Sequence, residues 1–277
     1  MVNYLLQRMV LVFLLLSFAC QQETNSTQSQ VKQAPAKKQK VVDLTHEFSR
    51  ETIYWVTAKE FKLDTVFAGH TEKGFYYTAN NFTTAEHGGT HIDAPIHFAE
   101  GKQSVDEIPL ENLMGNAIKV DVSTKAEKNP DYLISIEDLK AWEMRENTQI
   151  PEGSIILLYT GYENYYPDKL KYLGTDQRGE EAVKLLHFPG LAPEAAQWLI
   201  EYRSIKAIGL DTPSIDYGQS QTFDTHVILL SANIPAFENL TNLKNLPAKD
   251  FEVIALPMKI KGGSGGPLRI IAKVNEE

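Results

Sequence analysis

Three histidines and one aspartate lie within eleven residues of this chain and together suit a metal ion. The segment reads His87-Gly-Gly-Thr-His91-Ile-Asp93-Ala-Pro95-Ile-His97. A helix would place His87 and His91 on one face, but the two glycines between them and Pro95 after them disfavour a helix. We therefore predict an extended segment, in which His91 and Asp93 point to the same side. The glycines would let the backbone fold His87 towards them.

Two imidazoles and a carboxylate with open coordination positions form a ligand set that suits Zn²⁺ or Mn²⁺. The alternative is that these histidines are surface or core residues whose ring nitrogens are satisfied by hydrogen bonds. The density of histidines, the acidic residue and the glycine pair favour the metal site.

Composition limits the remaining functions. The chain has 277 residues, of which 43% are hydrophobic and 23% charged, and these proportions are typical of a globular protein. Lys and Arg number 27 against 36 Asp and Glu, a net charge of −9 that disfavours nucleic acid as a partner. A single cysteine excludes an intramolecular disulfide and a Cys-rich zinc site.

The N-terminus is typical of a targeting segment. Arg8 precedes an apolar run that ends in small residues before Cys20. Residues 1–19 resemble a bacterial lipoprotein signal, which implies lipidation of Cys20 and a protein exported and anchored to a bacterial membrane, on the periplasmic or cell-surface side. The alternative is an incidental cysteine. Residues 20–40 are polar and predict a flexible tether, so the folded body is expected over residues 41–277 as one domain.

The body must supply elements that position the histidine-rich segment. Continuous apolar runs predict buried strands at 117–122, 155–159, 205–210, 251–256 and 268–274. Ser135 and Asp138 are spaced as an N-terminal capping pair of a helix, and Pro193 begins a second helical pattern. Strands that alternate with helices predict the α/β class. The order of the strands does not follow from these patterns.

Residues 87–98 resemble the H-x-G-T-H-x-D-x-P-x-H signature of the cyclase-like metal hydrolases, which include bacterial kynurenine formamidases and isatin hydrolases. Weaker similarities follow in the family's order and extend the resemblance over essentially all of 41–277. They comprise residues 43–46, 160–161, 187–190, 209–216, His226 and 238–243.

The resemblance implies a swivelling β/β/α fold, a single domain with a mixed sheet and flanking helices. It also implies a homodimer whose active site can include residues of the neighbouring subunit. For the site it implies that His87, His91 and Asp93 bind metal, that His226 and Glu238 complete a two-metal site, and that His97 is the catalytic acid/base. The residue patterns alone support the first three. Taken alone, His226 is more typical of a structural histidine, and only the order of the motifs reverses that preference. Glu238 alone is also consistent with an acid at the start of a helix.

The family implies a metal-dependent amidohydrolase that binds one or two divalent ions, Zn²⁺ or Mn²⁺, and acts on a small molecule. Water activated by the metal would attack an amide-type carbonyl, with His97 moving the proton. An aryl formamide such as N-formyl-kynurenine is the first substrate predicted, and isatin or another cyclic amide or lactone is the alternative. A non-catalytic metal- or ligand-binding surface lipoprotein is the alternative from another class.

Three further features have two interpretations each. Asp211 follows an apolar strand and either orients a metal ligand or caps a turn. The aromatic residues Tyr54, Trp55, Phe75 and Tyr76 form either a substrate wall or parts of a core or dimer interface. The glycine-rich residues 262–267 lack the Lys-Ser/Thr of a phosphate-binding loop and predict a flexible turn near the site.

Overall fold

The computed structural model describes residues 38–275. The predicted signal 1–19, the predicted lipidation site Cys20 and the predicted tether up to residue 37 lie outside the described residues. The first strand begins at Gln39, two residues before the predicted start of the body, because Gln39 and Lys40 pair with Asn275 and Val274 of the last strand. Within 38–275, no helix is long and apolar enough to cross a membrane.

Strands dominate the described part of the chain. They are β1 (Gln39–Asp43), β2 (Lys62–His70), β3 (Tyr76–Thr83), β4 (His91–Asp93), β5 (Met114–Asp121), β6 (Leu133–Ile134), β7 (Ile155–Tyr159), β8 (Gly190–Leu191), β9 (Ala207–Leu210), β10 (Ala236–Glu238), β11 (Phe251–Pro257) and β12 (Gly265–Asn275).

Helices lie between the strands. They are α1 (Leu110–Leu113), α2 (Ser123–Ala126), α3 (Ile136–Glu146), α4 (Lys169–Leu173), α5 (Pro193–Arg203) and α6 (Asp224–Ser231), with short 3₁₀ turns at Pro95–His97, Tyr162–Asn164, Glu180–Leu185 and Leu243–Asn245.

The main sheet closes on itself. Its strands follow the order β1-β12-β11-β5-β7-β9-β10-β4, and β4 also pairs with β12. The four strands β5, β7, β9 and β10 are parallel to one another. All pairings that involve β4, β11 or β12 are antiparallel. The predicted mixed sheet of the cyclase-like fold is therefore confirmed, and its closure makes it a barrel.

Alternate residues of the central strands face two cores. In β7, Ile155 and Leu157 belong to the core inside the barrel, whereas Ile156 and Leu158 belong to a second core under the helices. All five β7 residues are buried, which explains why this strand is continuously apolar in sequence. The second core contains Trp142 of α3 and Leu199 of α5, so these helices cover the outer face of the sheet.

The two predicted helices begin where the sequence indicates. Ser135 accepts a hydrogen bond from the backbone of Asp138, and the Asp138 carboxylate accepts one from the backbone of Ser135, which completes a capping box before α3. Pro193 occupies the first turn of α5. The strands β2 and β3, by contrast, form a separate two-stranded hairpin that the sequence analysis does not predict.

Candidate active site

The short strand β4 carries two of the predicted ligands and lies between β10 and β12. His91 is directly opposite Glu238 of β10, so the register of this strand pair brings the two side chains together across 147 positions of sequence. On the other side, Asp93 is opposite Gly265 of β12. The predicted extended conformation of this segment is confirmed, and His91, Asp93 and Glu238 are all buried.

Close backbone packing positions His87 beside this strand. The residue that follows it, Gly88, forms an isolated bridge with Tyr54 and has φ +154°. A Cβ at Gly88 would lie 2.0 Å from the Tyr54 ring, so only glycine fits there. The His87 Nδ1 atom lies 2.6 Å from Asp93 Oδ1.

Helix α6 supplies His226 from the opposite side. Its Nε2 atom lies 3.1 Å from Asp93 Oδ2 and 3.4 Å from Glu238 Oε1. The Nε2 atom of His91 lies 3.2 Å from Asp93 Oδ1 and 3.4 Å from Glu238 Oε2. The structure therefore brings together all five side chains predicted as ligands, His87, His91, Asp93, His226 and Glu238.

The second nitrogen of each imidazole has a partner that fixes its tautomer. His91 Nδ1 donates to the carbonyl oxygen of Gly89 at 2.9 Å, and His226 Nδ1 donates to Asp216 Oδ2 at 2.6 Å. These bonds place the lone pair of both rings at Nε2, towards the carboxylates.

For His87 the partner is a serine. Ser264 Oγ donates its proton to Glu86 Oε2 at 2.6 Å and so accepts from His87 Nε2 at 2.9 Å. The lone pair of His87 is therefore at Nδ1, also towards Asp93.

Three imidazole lone pairs and two carboxylates thus face one another in a buried site. Such a set requires positive charge between its members, since buried anions and lone pairs repel without it. Side-chain atoms of His91, Asp93 and Glu238 lie within 4.8 Å of one another, as do those of His87, Asp93 and His97. Nitrogen and oxygen donors at this spacing fit a divalent metal ion.

The pKa values reflect the same demand for positive charge. Burial lowers the pKa of His91 and His226, but their hydrogen bonds and the charges of the neighbouring carboxylates outweigh it and raise both above the ordinary value. Burial, together with the charge of Asp93, raises the pKa of Glu238. Burial also acts to raise the pKa of Asp93, but the three histidines around it hold that pKa well below its usual range.

His97 occupies the edge of this cluster. Its ring stacks on His87 with centroids 3.8 Å apart, and burial lowers its pKa to about 4, so the ring is neutral at pH 7. A neutral imidazole at the edge of the site can accept a proton. The geometry also brings a His97 nitrogen within ligand range of Asp93 and His87, so its assignment as acid/base stays a prediction.

A cavity of about 300 Å³ opens beside the cluster. Its wall includes four aromatic residues, Tyr54, Trp55, Phe98 and Phe223. Phe223 packs against both Trp55 and Phe98, with ring centroids 6.1 and 5.4 Å apart. His97 and the five predicted ligands lie at the base or on the wall of this cavity, which also includes Tyr54. A cavity of this size and lining suits a small planar molecule.

Only some of the other sequence-based candidates line the cavity. Phe75 and Tyr76 are exposed on the β2–β3 hairpin and do not line the cavity, so of the four aromatic candidates only Tyr54 and Trp55 do. Asp211 accepts hydrogen bonds from the backbone and hydroxyl of Thr160 and from the backbone of Glu163, and therefore ties strand ends together rather than orienting a ligand. Burial raises its pKa to about 6.

Sequence reasoning missed the residues that hold the imidazoles. Asp216 lies in the 209–216 similarity without an assigned role, and Ser264 lies in the glycine-rich segment interpreted as a turn. Ser264 lies 177 positions from His87, whereas Asp216 lies ten positions before His226. A lone serine among four glycines is the one local signal that the position has a specific contact.

Comparisons with known proteins identify relatives of this chain. The family model described as putative cyclase matches residues 42–217. An isatin hydrolase of Roseibium aggregatum is 31% identical over 209 residues, which cover 73% of this chain and 76% of the relative. A kynurenine formamidase of Salinibacter ruber is 26% identical over 84% of this chain and 97% of the relative.

A solved structure has the same fold. Isatin hydrolase A from Labrenzia aggregata, bound to benzyl benzoate, superposes with a TM-score of 0.78 and 34% identity, covering 86% of this chain and 94% of that one. The chain therefore belongs to the cyclase family, as its sequence motifs indicate. It is an enzyme of the hydrolase class within that family, and its donor set fits a divalent metal.

Proposed function

We propose that this enzyme hydrolyses the amide carbonyl of a small aryl substrate with the help of a divalent metal. The observation that carries the proposal is the convergence of three imidazole lone pairs and two carboxylates at the base of an aromatic cavity, with a neutral histidine at their edge. The names of the relatives, isatin hydrolase and kynurenine formamidase, support the same type of bond.

The metal would be held by His87, His91, Asp93, His226 and Glu238. When bound, a divalent ion lowers the pKa of water from about 15.7 towards 7 and polarises a carbonyl oxygen. Zn²⁺ and Mn²⁺ both suit nitrogen and carboxylate ligands. Asp93 belongs to both groups of nearby donors, so the donor set is large enough to hold one ion or two.

His97 moves the proton in this proposal. Burial lowers the pKa of His97 to about 4 and so keeps the ring neutral. Its free nitrogen accepts a proton from water as the water oxygen adds to the carbonyl carbon. When the carbon–nitrogen bond breaks, the same ring returns that proton to the departing nitrogen. The aryl group is meanwhile held against Trp55, Phe98 and Phe223, away from bulk water.

The lining of the cavity favours a neutral cyclic aryl amide, such as isatin, over N-formyl-kynurenine. Among the described residues that line it there is no Lys or Arg, and its charged side chains are the proposed metal ligands. N-formyl-kynurenine carries a free carboxylate, which would lie in this cavity without a cationic side chain to bind it. An aryl formamide is thus the second candidate, although it is the first one that the sequence motifs predict.

The test compares both substrates on the metal-loaded enzyme. We expect kcat/KM for isatin to exceed that for N-formyl-kynurenine by at least about tenfold, the effect of one unpaired charge worth ~1.4 kcal/mol. A higher kcat/KM for N-formyl-kynurenine than for isatin would support the aryl formamidase assignment instead. A metal-loaded protein that hydrolyses neither compound, nor any member of an aryl amide and ester panel, would support the non-catalytic metal-binding protein instead.

His97→Ala separates the catalytic role from a ligand role. We expect a loss of about 10²- to 10⁴-fold in kcat with the metal content of the parent enzyme. His187→Ala is the matched control, because His187 is half-exposed, pairs with Asp131 and lies outside the cavity. If His97→Ala loses its metal as well as its activity, His97 is a ligand.

A further inference from the structure

A second cavity, here called the strand-start cavity, lies at the end of the barrel where the parallel strands β5, β7 and β9 begin. Its volume is about 780 Å³, within the range of about 300–1,000 Å³ for ligand sites. It shares no lining residue with the active-site cavity, whose residues Pro213 and Ser214 follow the other end of β9. The lining comes mainly from residues 115–118 of β5, 151–154 before β7, Lys206 before β9 and 249–252 at the start of β11, with Trp142 of α3.

The Lys206 ammonium reaches this cavity without a carboxylate partner among the described residues. Its Nζ atom donates to the backbone carbonyl oxygen of Met114 at 2.6 Å, and the residue is half-buried. Burial lowers the pKa of Lys206, and the charge of Glu111 offsets this only in part. An ammonium has three N–H groups, so the bond to Met114 leaves two for a ligand. A half-buried cation without a counter-ion favours an anion beside it.

Gly115 provides the space for this ammonium. Its φ is +141°, and a Cβ at this position would overlap Lys206 Nζ. A glycine inside a strand weakens that strand and often marks a place where another group approaches closely. Here the group that approaches is the lysine nitrogen, so β5 is built to admit a cation into the cavity.

Trp142 adds an unpaired hydrogen-bond donor to the lining. The residue is 1% exposed, and its Nε1 atom has no hydrogen-bond partner within residues 38–275. A buried donor without an acceptor costs about 1–3 kcal/mol, and native proteins rarely retain one. A carboxylate offers two acceptor oxygens, one for the Lys206 ammonium and one for this N–H group.

The edge of the cavity is acidic. Glu152, Asp250 and Glu252 line it, and all three are exposed. The second lysine of the lining, Lys249, donates to the backbone oxygen of Glu146 at 2.9 Å and lies 3.5 Å from its carboxylate. Three acids therefore face one lysine that has no acidic partner. This balance disfavours a dianion such as phosphate and favours a ligand that also carries a positive charge.

We propose that the strand-start cavity binds a free amino acid, with its carboxylate at Lys206 and Trp142 and its ammonium towards the acids at the edge. A simple carboxylate would leave those acids without a partner, and a simple amine would leave Lys206 and Trp142 without one. The site does not depend on the proposed hydrolysis, because the two cavities have no lining residue in common.

Nuclear magnetic resonance of the indole N–H groups tests the proposal. The protein is the metal-loaded full chain with Cys20→Ser, so that the predicted lipid does not contribute, and its three tryptophans are labelled with ¹⁵N. The common amino acids are titrated singly. We expect at least one to bind with a Kd of about 1 mM or below and to shift the Trp142 signal, which Trp142→Phe identifies. Trp55 lines the active-site cavity, and its signal should stay in place.

The charges of the ligand are tested with analogues of the amino acid that binds. Removal of either its ammonium or its carboxylate should weaken binding at least about tenfold, the effect of a lost hydrogen bond to a charged group. A simple carboxylate or inorganic phosphate that binds more tightly than every amino acid would overturn the proposal. A shift of the Trp55 signal alone would also overturn it, because that result would place the amino acid at the metal.

Variants locate the binding. Lys206→Met should weaken it at least about tenfold. Asp250→Asn/Glu252→Gln should reduce the preference for the amino acid over the simple carboxylate, and both side chains are exposed, so the fold should be kept. Lys169→Met is the matched control, because Lys169 is also half-buried but pairs with Glu60 and does not line this cavity.

Two results with these proteins would contradict the proposed site. One is binding by Lys206→Met that equals binding by the parent. The other is the absence of saturable binding for every amino acid at about ten times the expected Kd. Circular dichroism verifies the fold of each variant. If Lys206→Met is unfolded, the comparison of Asp250→Asn/Glu252→Gln with the parent decides, since an unchanged preference there would also refute the proposal.

Discussion

Removal of one hydroxyl group, in Ser264→Ala, tests whether the tautomer of His87 is set from outside the metal site. Ser264 Oγ accepts from His87 Nε2 at 2.9 Å, and this bond leaves the lone pair of the ring at Nδ1, beside Asp93. Without the hydroxyl, His87 can carry its proton on Nδ1 and donate it to Asp93 instead. That tautomer has no lone pair to offer a metal at Nδ1, so metal binding must first reverse it.

The expected loss of metal affinity follows from the single hydrogen bond that Ser264→Ala removes. A neutral hydrogen bond contributes about 0.5–1.5 kcal/mol, and loss of an outer partner of a metal ligand weakens binding by about 10- to 100-fold. Because Ser264 and His87 are only half-buried, we expect the lower end, a metal affinity about tenfold weaker. The Glu86 carboxylate still accepts from the Ser264 backbone nitrogen at 3.1 Å, so the loop should keep its conformation.

Chelator-competition titration with Zn²⁺ and Mn²⁺ measures this change. Ser264→Thr retains a hydroxyl and should bind within about twofold of the parent, since the hydrogen bond is kept. At saturating metal, Ser264→Ala should regain most of the parent kcat. An unchanged affinity would refute the role of Ser264 in setting the tautomer. A low kcat at saturating metal would show that Ser264 acts on the reaction itself.

Three further predictions concern stability and processing. Metal-free protein should lose thermal stability as the pH rises above about 6.5. The raised pKa values of His91 and His226 give stability that is complete below the ordinary histidine pKa of about 6.5 and is lost as the pH rises through the folded-state pKa. A melting temperature that rises with pH above this value would contradict the proposed charge balance, and saturating metal should flatten the profile. Gly88→Ala should lower the free energy of unfolding in urea by about 3 kcal/mol, since its Cβ meets the Tyr54 ring. The control Gly262→Ala, with φ +72° and nothing within 4 Å of the added Cβ, should lower it by about 1 kcal/mol. Equal losses in the two variants would contradict the steric explanation. We also propose that a lipid on Cys20 anchors the exported protein. Palmitate labelling of the parent in a bacterial host should then be lost in Cys20→Ser. A parent that is not labelled would show that residues 1–19 are not a lipoprotein signal.

The sequence by itself determined the local part of the site. His87, His91 and Asp93 lie within seven residues, and two intervening glycines with a following proline leave an extended bend as the favoured conformation. Their convergence is therefore a short-range property that spacing can predict. The helix caps at Ser135 and Pro193 are local for the same reason, since a cap depends on residues three or four positions apart.

Only the tertiary structure decided which residues support that bend. Ser264 reaches His87 across 177 positions of sequence, a contact that no periodicity predicts. The pairing of β4 with β12 closes the sheet by bringing together segments far apart in the chain. Apolar patterning indicates that a residue is covered but not by what, and it does not predict the β2–β3 hairpin. Its exposure on both faces follows from where the rest of the chain packs, and that is a property of the whole fold.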